Sequence, residues 1–227
     1  MKKALLFFSA VFVLSTLSYS QNIQLHYDYG RANDGDINKD RNYFTVTTEM
    51  FKPDKLGSTF FFADMDFAKE GGGMSFAYWE IARKFTLPGK FKNFNFHIEY
   101  NDGTANFITP AALTGIGYDF GFKGWIFTTN YLARIPFEGR LDGQFTMVWH
   151  KKFFNNKLHF TGFLDIWTSD EFEGTGKQIT FLTEPQLWYE VIDNFDIGGE
   201  VEISKNFFTY DGDIEVMPTV ALRYRWQ

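Results

Sequence analysis

Hydrophobic and polar residues alternate along most of this chain with a period of two. In "FNFHIEYN", residues 94–101, Phe94, Phe96, Ile98 and Tyr100 fall on one face and Asn95, His97, Glu99 and Asn101 on the other. Residues 23–29 repeat the pattern, with Ile23, Leu25, Tyr27 and Tyr29 opposing Gln24, His26 and Asp28. Between 195 and 203, Ile197, Val201 and Ile203 oppose Asp196, Glu200 and Glu202. Such alternation sends successive side chains to opposite faces of a strand. Read throughout, it predicts twelve strands at 23–30, 42–51, 58–68, 74–85, 94–103, 112–121, 124–135, 143–153, 157–168, 178–190, 195–205 and 213–226. No internal stretch carries a helical period.

Most of these strands have the roughly 9 to 13 residues that a tilted strand needs to cross a bilayer, longer than is usual in soluble sheets. The connections alternate too. Those after odd strands are longer and polar ("RANDGDINKDR", "TSDEFEGTGK", "NFFTYDGD"), and those after even strands are tight ("GFKG", "FNNK", "IDN"). The pattern predicts an all-β chain, a twelve-stranded antiparallel transmembrane β-barrel with short periplasmic turns and longer extracellular loops. A soluble barrel or sandwich shares the alternation, with the apolar face turned into a core.

The stretch "STFFFADMDFA", residues 58–68, fits the membrane reading. Thr59, Phe61, Ala63, Met65 and Phe67 face lipid, while Ser58, Phe60, Phe62, Asp64 and Asp66 face a lumen. Carboxylates at a bilayer midplane cost several kcal/mol, so Asp64 and Asp66 belong on the face away from Phe61 and Met65. One residue in five is aromatic, which suits girdles at two membrane interfaces. Trp149, Tyr189, Tyr224 and Trp226, near strand ends, are the girdle candidates.

Composition adds a compartment. Met1, Lys2 and Lys3 precede an apolar run from Ala4 to Leu14 and then Ser18-Tyr19-Ser20, which reads as a signal peptide over 1–20, leaving a barrel over 21–227. Its removal leaves 20 basic against 28 acidic residues, so the net charge moves from −6 to about −8. That balance argues against a nucleic-acid polymer as partner. There is no cysteine, hence no disulfide and no lipidated cysteine, and no cofactor is implied.

"EMFKPDKLGSTFFFADMDF" followed by "SFAYWEIAR" resembles the Tsx-like nucleoside-specific channel-forming proteins of bacterial outer membranes, in particular a little-characterised branch associated with Bacteroidota. The likeness is densest over residues 43–100. It implies a monomeric barrel with a narrow pore that passes nucleosides across the outer membrane of a Gram-negative bacterium. The partners it implies are outer-membrane lipid and a small-molecule solute. The chain departs from the usual terminal aromatic, since Trp226 is penultimate and Gln227 last.

The lumen face is where function is expected. Phe60, Phe62, Tyr78, Trp167 and Trp188 share faces with Asp64, Glu80, Asp165 and Glu184. Flat rings can stack a base, and carboxylates can bind a sugar or base edge. His97 and Glu99 lie on the same face, and Arg134, Arg223 and Arg225 point inward as partners for the acids. The same rings and charges also fill and neutralise a narrow barrel of any function.

Catalysis finds less support. "HIEYNDG", residues 97–103, resembles the histidine-x-serine-asparagine-glycine run of outer-membrane phospholipase A, but Glu99 stands at the serine position. His150 is followed by Lys151 and Lys152, and His159 has only Thr161 as a hydroxyl neighbour. "SDEFEG" at 169–174 is acidic without the oxygen spacing of a calcium loop, and "GGG" at 71–73 lacks the lysine and helix of a phosphate cradle.

Overall fold

The computed structural model describes residues 20–30, 42–68, 72–105, 108–171, 174–207 and 213–226. The expected leader, apart from Ser20, lies outside the described residues. So do the loop at 31–41, Gly71, most of the 206–213 loop, part of the 169–174 acidic run, and Gln227.

The strands are β1 (Ser20–Asp28), β2 (Phe44–Asp54), β3 (Gly57–Phe67), β4 (Phe76–Thr86), β5 (Phe94–Gly103), β6 (Ala111–Phe122), β7 (Trp125–Pro136), β8 (Asp142–Phe153) and β9 (Leu158–Asp170). They continue with β10 (Lys177–Thr183), β11 (Gln186–Ile192), β12 (Phe195–Lys205) and β13 (Ile214–Trp226). Each pairs antiparallel with its neighbours, and β13 returns to β1 from Gln21 opposite Trp226 to Asp28 opposite Thr219, which closes the sheet. In hydrocarbon no water satisfies a free edge, so closure removes the backbone groups that would otherwise be stranded.

The thirteen segments make a barrel of twelve strands, because β10 and β11 are halves of one crossing. Both pair with β9 and β12 in a single register: Thr183 faces Leu164 and Gln186 faces Thr161. The strand expected at 178–190 is therefore real but interrupted at Glu184 and Pro185. Pro185 has no N–H to give the ladder, although its carbonyl still accepts from Val201 N at 3.1 Å. Gly162 sits opposite, where a Cβ would lie 2.4 Å from Glu184 O and 2.7 Å from the Trp149 ring. The proline break and the indole leave room for hydrogen only.

At the end that carries both termini the turns are tight, except that β4 and β5 are joined by residues 87–93 with a 3-10 turn at Gly89–Phe91. Lys123 and Gly124 form the two-residue link between β6 and β7, both at positive φ (48° and 80°), as a type I′ hairpin requires. The opposite end carries the longer connections.

The faces sort inside out. On β1, Ile23 and Leu25 are 41% and 42% exposed, whereas Gln24 and His26 are each 1% exposed. Outward Phe96, Ile98, Ile116, Val220 and Leu222 are all exposed, and among the described residues the buried apolar cluster is Ala111, Leu113 and Leu132. A soluble barrel would bury the first set, so this surface is built for lipid.

Outward rings gather at both ends. Near the termini, Tyr118, Phe120, Phe127 and Trp125 stack in a row with centroids 5.8, 5.1 and 5.6 Å apart, and Phe160 meets Trp125 edge-on at 5.9 Å. Lys151 Nζ lies 5.0 Å over the Trp125 ring, its stem along the apolar surface. Tyr224 and Trp226 stack at 6.1 Å on the same rim. At the loop end, Tyr27, Tyr29 and Phe44 cluster, as do Trp79, Tyr100 and Phe137. The girdle thus draws mainly on rings other than Trp149, which instead covers Gly162.

Sidedness can be checked by substitution. Ile98→Arg places a guanidinium in lipid at a cost of about 2 to 4 kcal/mol and is expected to block assembly, whereas Phe60→Arg points into the lumen and is expected to fold. Heat-modifiable gel mobility reads both; equal folding of the two variants contradicts the assignment of faces.

Candidate functional site: the barrel lumen

Register carries every even or odd choice around the ring, so inward positions follow without ambiguity. Asp64 lies opposite Tyr78, Phe62 opposite Glu80, Glu80 opposite Asn101, and Glu99 opposite Leu113. Arg134 follows opposite Leu113 and Asp142, then Trp167 opposite Gln144 and Asp165 opposite Thr146. Glu184 follows at the break between β10 and β11, and Trp188 and Arg223 complete the ring on β11 and β13. All thirteen lining candidates, His97 included, face inward, but they fall into distinct groups.

On one wall Phe60, Phe62 and Tyr78 form a ladder of rings, with centroids 5.8 and 5.6 Å apart. All three are half-buried, so part of each ring faces the lumen. Asp64 and Glu80 flank them on the same strands. Trp167 stands nearer the loop end, edge-on to Phe207 at 5.6 Å, with the Arg134 guanidinium 5.9 Å from its centroid.

The carboxylates of the barrel's waist are held by neutral donors. The Thr47 hydroxyl donates to Asp64 at 2.5 Å, Gln186 Nε2 to Glu200 at 2.9 Å, and Asn22 Nδ2 to Glu49 at 2.7 Å. Asp64 and Glu184 also act on each other across the lumen, as do Asp64 and Glu200, although β3 is several strands away from β10 and β12. On the other side Glu80, Glu99 and Asp165 form a second acidic group; Arg134 acts on Glu80 and Asp165, and Lys84 on Glu99. His97 Nε2 lies 2.8 Å from Glu99 Oε2. Asn101, 2% exposed, has a carbonyl oxygen without a protein partner beside these acids.

Cations concentrate toward the termini, in pairs. Arg223 Nε and Arg225 Nε both donate to Asp196 Oδ2 at 2.8 Å, and Arg225 also bonds Glu190. Lys84 Nζ lies 3.6 Å from Asp119. Arg223 is hydrogen-bonded to Asp196, and its charge also reaches Glu49. Its guanidinium sits 4.3 Å over the Trp188 ring. Trp188 is 0% exposed, hydrogen-bonded through Nε1 to Gln186 Oε1 at 3.0 Å and edge-on to His26 at 5.8 Å. That indole is part of the wall and offers no face to a solute, unlike the ladder.

The lining that residue choice alone overlooked is Glu49, Glu200 and the polar chain beneath them. His26 bonds Thr219 at 2.9 Å and Gln24 at 2.8 Å, and Gln24 passes a hydrogen bond to Asn22 at 2.9 Å. Glu200 and Glu202 stand on the polar face of an alternating strand, so that signal was available; what the alternation could not tell was which acids had cationic partners. Two further histidines have ordinary partners: His159 Nε2 lies 2.7 Å from Asn156 O, and His97 bonds the glutamate that stands where a nucleophile was sought. Among the described residues no group of three or more His, Asp or Glu is placed to hold a metal ion. In the 169–174 run, Asp170 pairs with Arg140 and Lys177, and Glu171 accepts from Gly176 N.

A family model described as a domain of unknown function, DUF5020, matches residues 20–226. No curated protein matches the sequence. Among solved structures, a NanC porin aligns with a TM-score of 0.58 at 8% identity, covering 91% of this chain and 100% of that one. A KdgM porin aligns at 0.52 and 8% identity over 92% and 99%. A KdgM porin in complex with disordered oligogalacturonate aligns at 0.50 and 8% over the same shares. At such identity the likeness is one of fold.

The arginine pair supplies a stability test. Asp196→Ala leaves Arg223 and Arg225 without their shared carboxylate, and loss of one partner of a buried pair costs about 3 to 5 kcal/mol. Urea unfolding in detergent is expected to show that loss; a change below about 1 kcal/mol, the range of exposed pairs, removes Asp196 from any structural role.

Proposed function

Because the chain belongs to the DUF5020 family and has a porin-like barrel, we propose that it is an outer-membrane channel of a Gram-negative bacterium, exported with loss of residues 1–20. One chain closes one barrel, and it acts as a monomer. Small polar solutes pass by diffusion, with nucleosides the class that the lining suits best.

The observation that carries this reading is the half-buried ladder of Phe60, Phe62 and Tyr78 beside lumen carboxylates held by neutral donors. A base can lie on a ring while its ribose hydroxyls donate to Asp64 or Glu80, and stacking is worth roughly 1 to 3 kcal/mol per base. The resemblance of residues 43–100 to Tsx-like channels points the same way. Oligogalacturonate, found with one porin of this fold, is a polyanion and is poorly matched to an acidic waist. We read the protein as a channel and not an enzyme, since His97 is engaged by Glu99 and no serine stands at that position.

Planar-bilayer recordings test the assignment. Thymidine or adenosine is expected to block the wild-type current, and Phe62→Ala to weaken that block about tenfold or more while small-ion conductance holds or rises. A wild-type current that no nucleoside blocks overturns the nucleoside assignment and leaves a general pore.

A further inference from the structure

We infer that the lumen filters by charge: small cations, organic ammonium ions among them, and neutral solutes cross its waist, while anions, nucleotides included, are turned back. This inference rests on the channel reading and adds to it the charge class of the solute.

The inward charges are partnered differently at different heights of the barrel. Toward the termini Arg223 and Arg225 share Asp196, Arg225 also meets Glu190, and Lys84 faces Asp119. On the outer face and rim, Arg83 pairs with Asp54, and Lys177 with Asp142 and Asp170. The waist differs. Asp64, Glu49 and Glu200 are held by Thr47, Asn22 and Gln186, neutral donors that bring no opposite charge. The charges acting most on Asp64, Glu184 and Glu200 are other carboxylates. His26 Nδ1 comes within 3.4 Å of Glu200, but its ring nitrogens are also engaged by Thr219 and Gln24.

Like charges that converge across a narrow, wet lumen draw counter-ions from solution, and rings of Asp or Glu are how cation channels select. A mobile cation in the waist supplies what the protein withholds. Two further observations bear on the kind of cation. Asn101 offers a carbonyl oxygen, buried and without a protein partner, beside Glu80 and Glu99. Phe60, Phe62 and Tyr78 present ring faces on the wall that carries Asp64 and Glu80, and ring faces attract organic ammonium groups. Carboxylate, carbonyl and ring together suit a cation with an apolar shell. Of the inward cations, Arg134 acts on Glu80 and Asp165, and its guanidinium is already flanked by Trp167 and Gln144.

The test is the reversal potential of the wild-type channel in planar bilayers under a gradient of KCl and, separately, of tetramethylammonium chloride. Each is expected to show the cation permeating roughly tenfold better than chloride, the scale on which lined clefts enrich counter-ions. The triple variant Asp64→Asn, Glu184→Gln, Glu200→Gln is expected to bring both ratios close to unity. Should gel mobility show that it does not fold, Glu184→Gln alone, which removes a charge and keeps the shape, is expected to give a partial fall. A conducting wild type with a ratio at or below unity overturns the inference and leaves the channel standing. So does a folded variant with an unchanged ratio, because the waist then is not the filter. No conductance under any salt overturns the channel reading, and the charge filter with it.

Discussion

A backbone crossing hydrocarbon must satisfy its own N–H and C=O groups, and a sheet does so only by closing on itself. Everything else in this protein follows from the ladder between β1 and β13. Closure sets one register around the ring, and register decides for every strand which residues meet lipid and which meet the lumen. The inside-out burial is its direct result: Gln24 and His26 disappear from solvent while Ile23 and Leu25 remain on the surface. Even Pro185, which cannot donate, is accommodated without slipping the register, because Glu184 N still reaches Phe163 O at 3.1 Å and Gly162 yields the space.

A closed ring of this size also brings inward side chains from distant strands within reach. Charges that are far apart along the chain then act on each other, and the lumen must either neutralise them or keep water. This barrel does both at different heights. Toward the termini Asp196 draws Arg223 and Arg225 together and Trp188 is packed beneath a guanidinium. In the waist the acids are held by amides and a hydroxyl, beside rings that are only half-buried. The first region is a structural seal to the wall; the second is where solute chemistry can occur.

The wall's rings illustrate how placement changes meaning. Trp188 and Phe62 are both aromatic and both inward, yet one is fully buried by Arg223, His26 and Gln186 while the other shares a ladder that opens on the lumen. Trp149 is a comparable case on the outer surface, diverted from the interface to cover Gly162.

Much was decided by the order of residues alone. Alternation in "FNFHIEYN" and "STFFFADMDFA" is a property of neighbouring positions, so strand identity, facing and the twelve crossings were legible, as was the contrast between tight and long connections. The inward placement of Phe60, Asp64, Glu80 and Glu184 follows from the same local rule. What alternation cannot carry is contact between strands: that Asp196 takes both arginines, that Glu49 and Glu200 join the waist, and that Trp188 has no free face. Those depend on shear and closure, which set residues tens of positions apart at one height in the ring. The interruption at Pro185 was likewise visible as a residue but not as an event, because its effect depends on Gly162 and Val201 across two neighbouring strands. A period of two assigns a face; only the closed ladder assigns a partner.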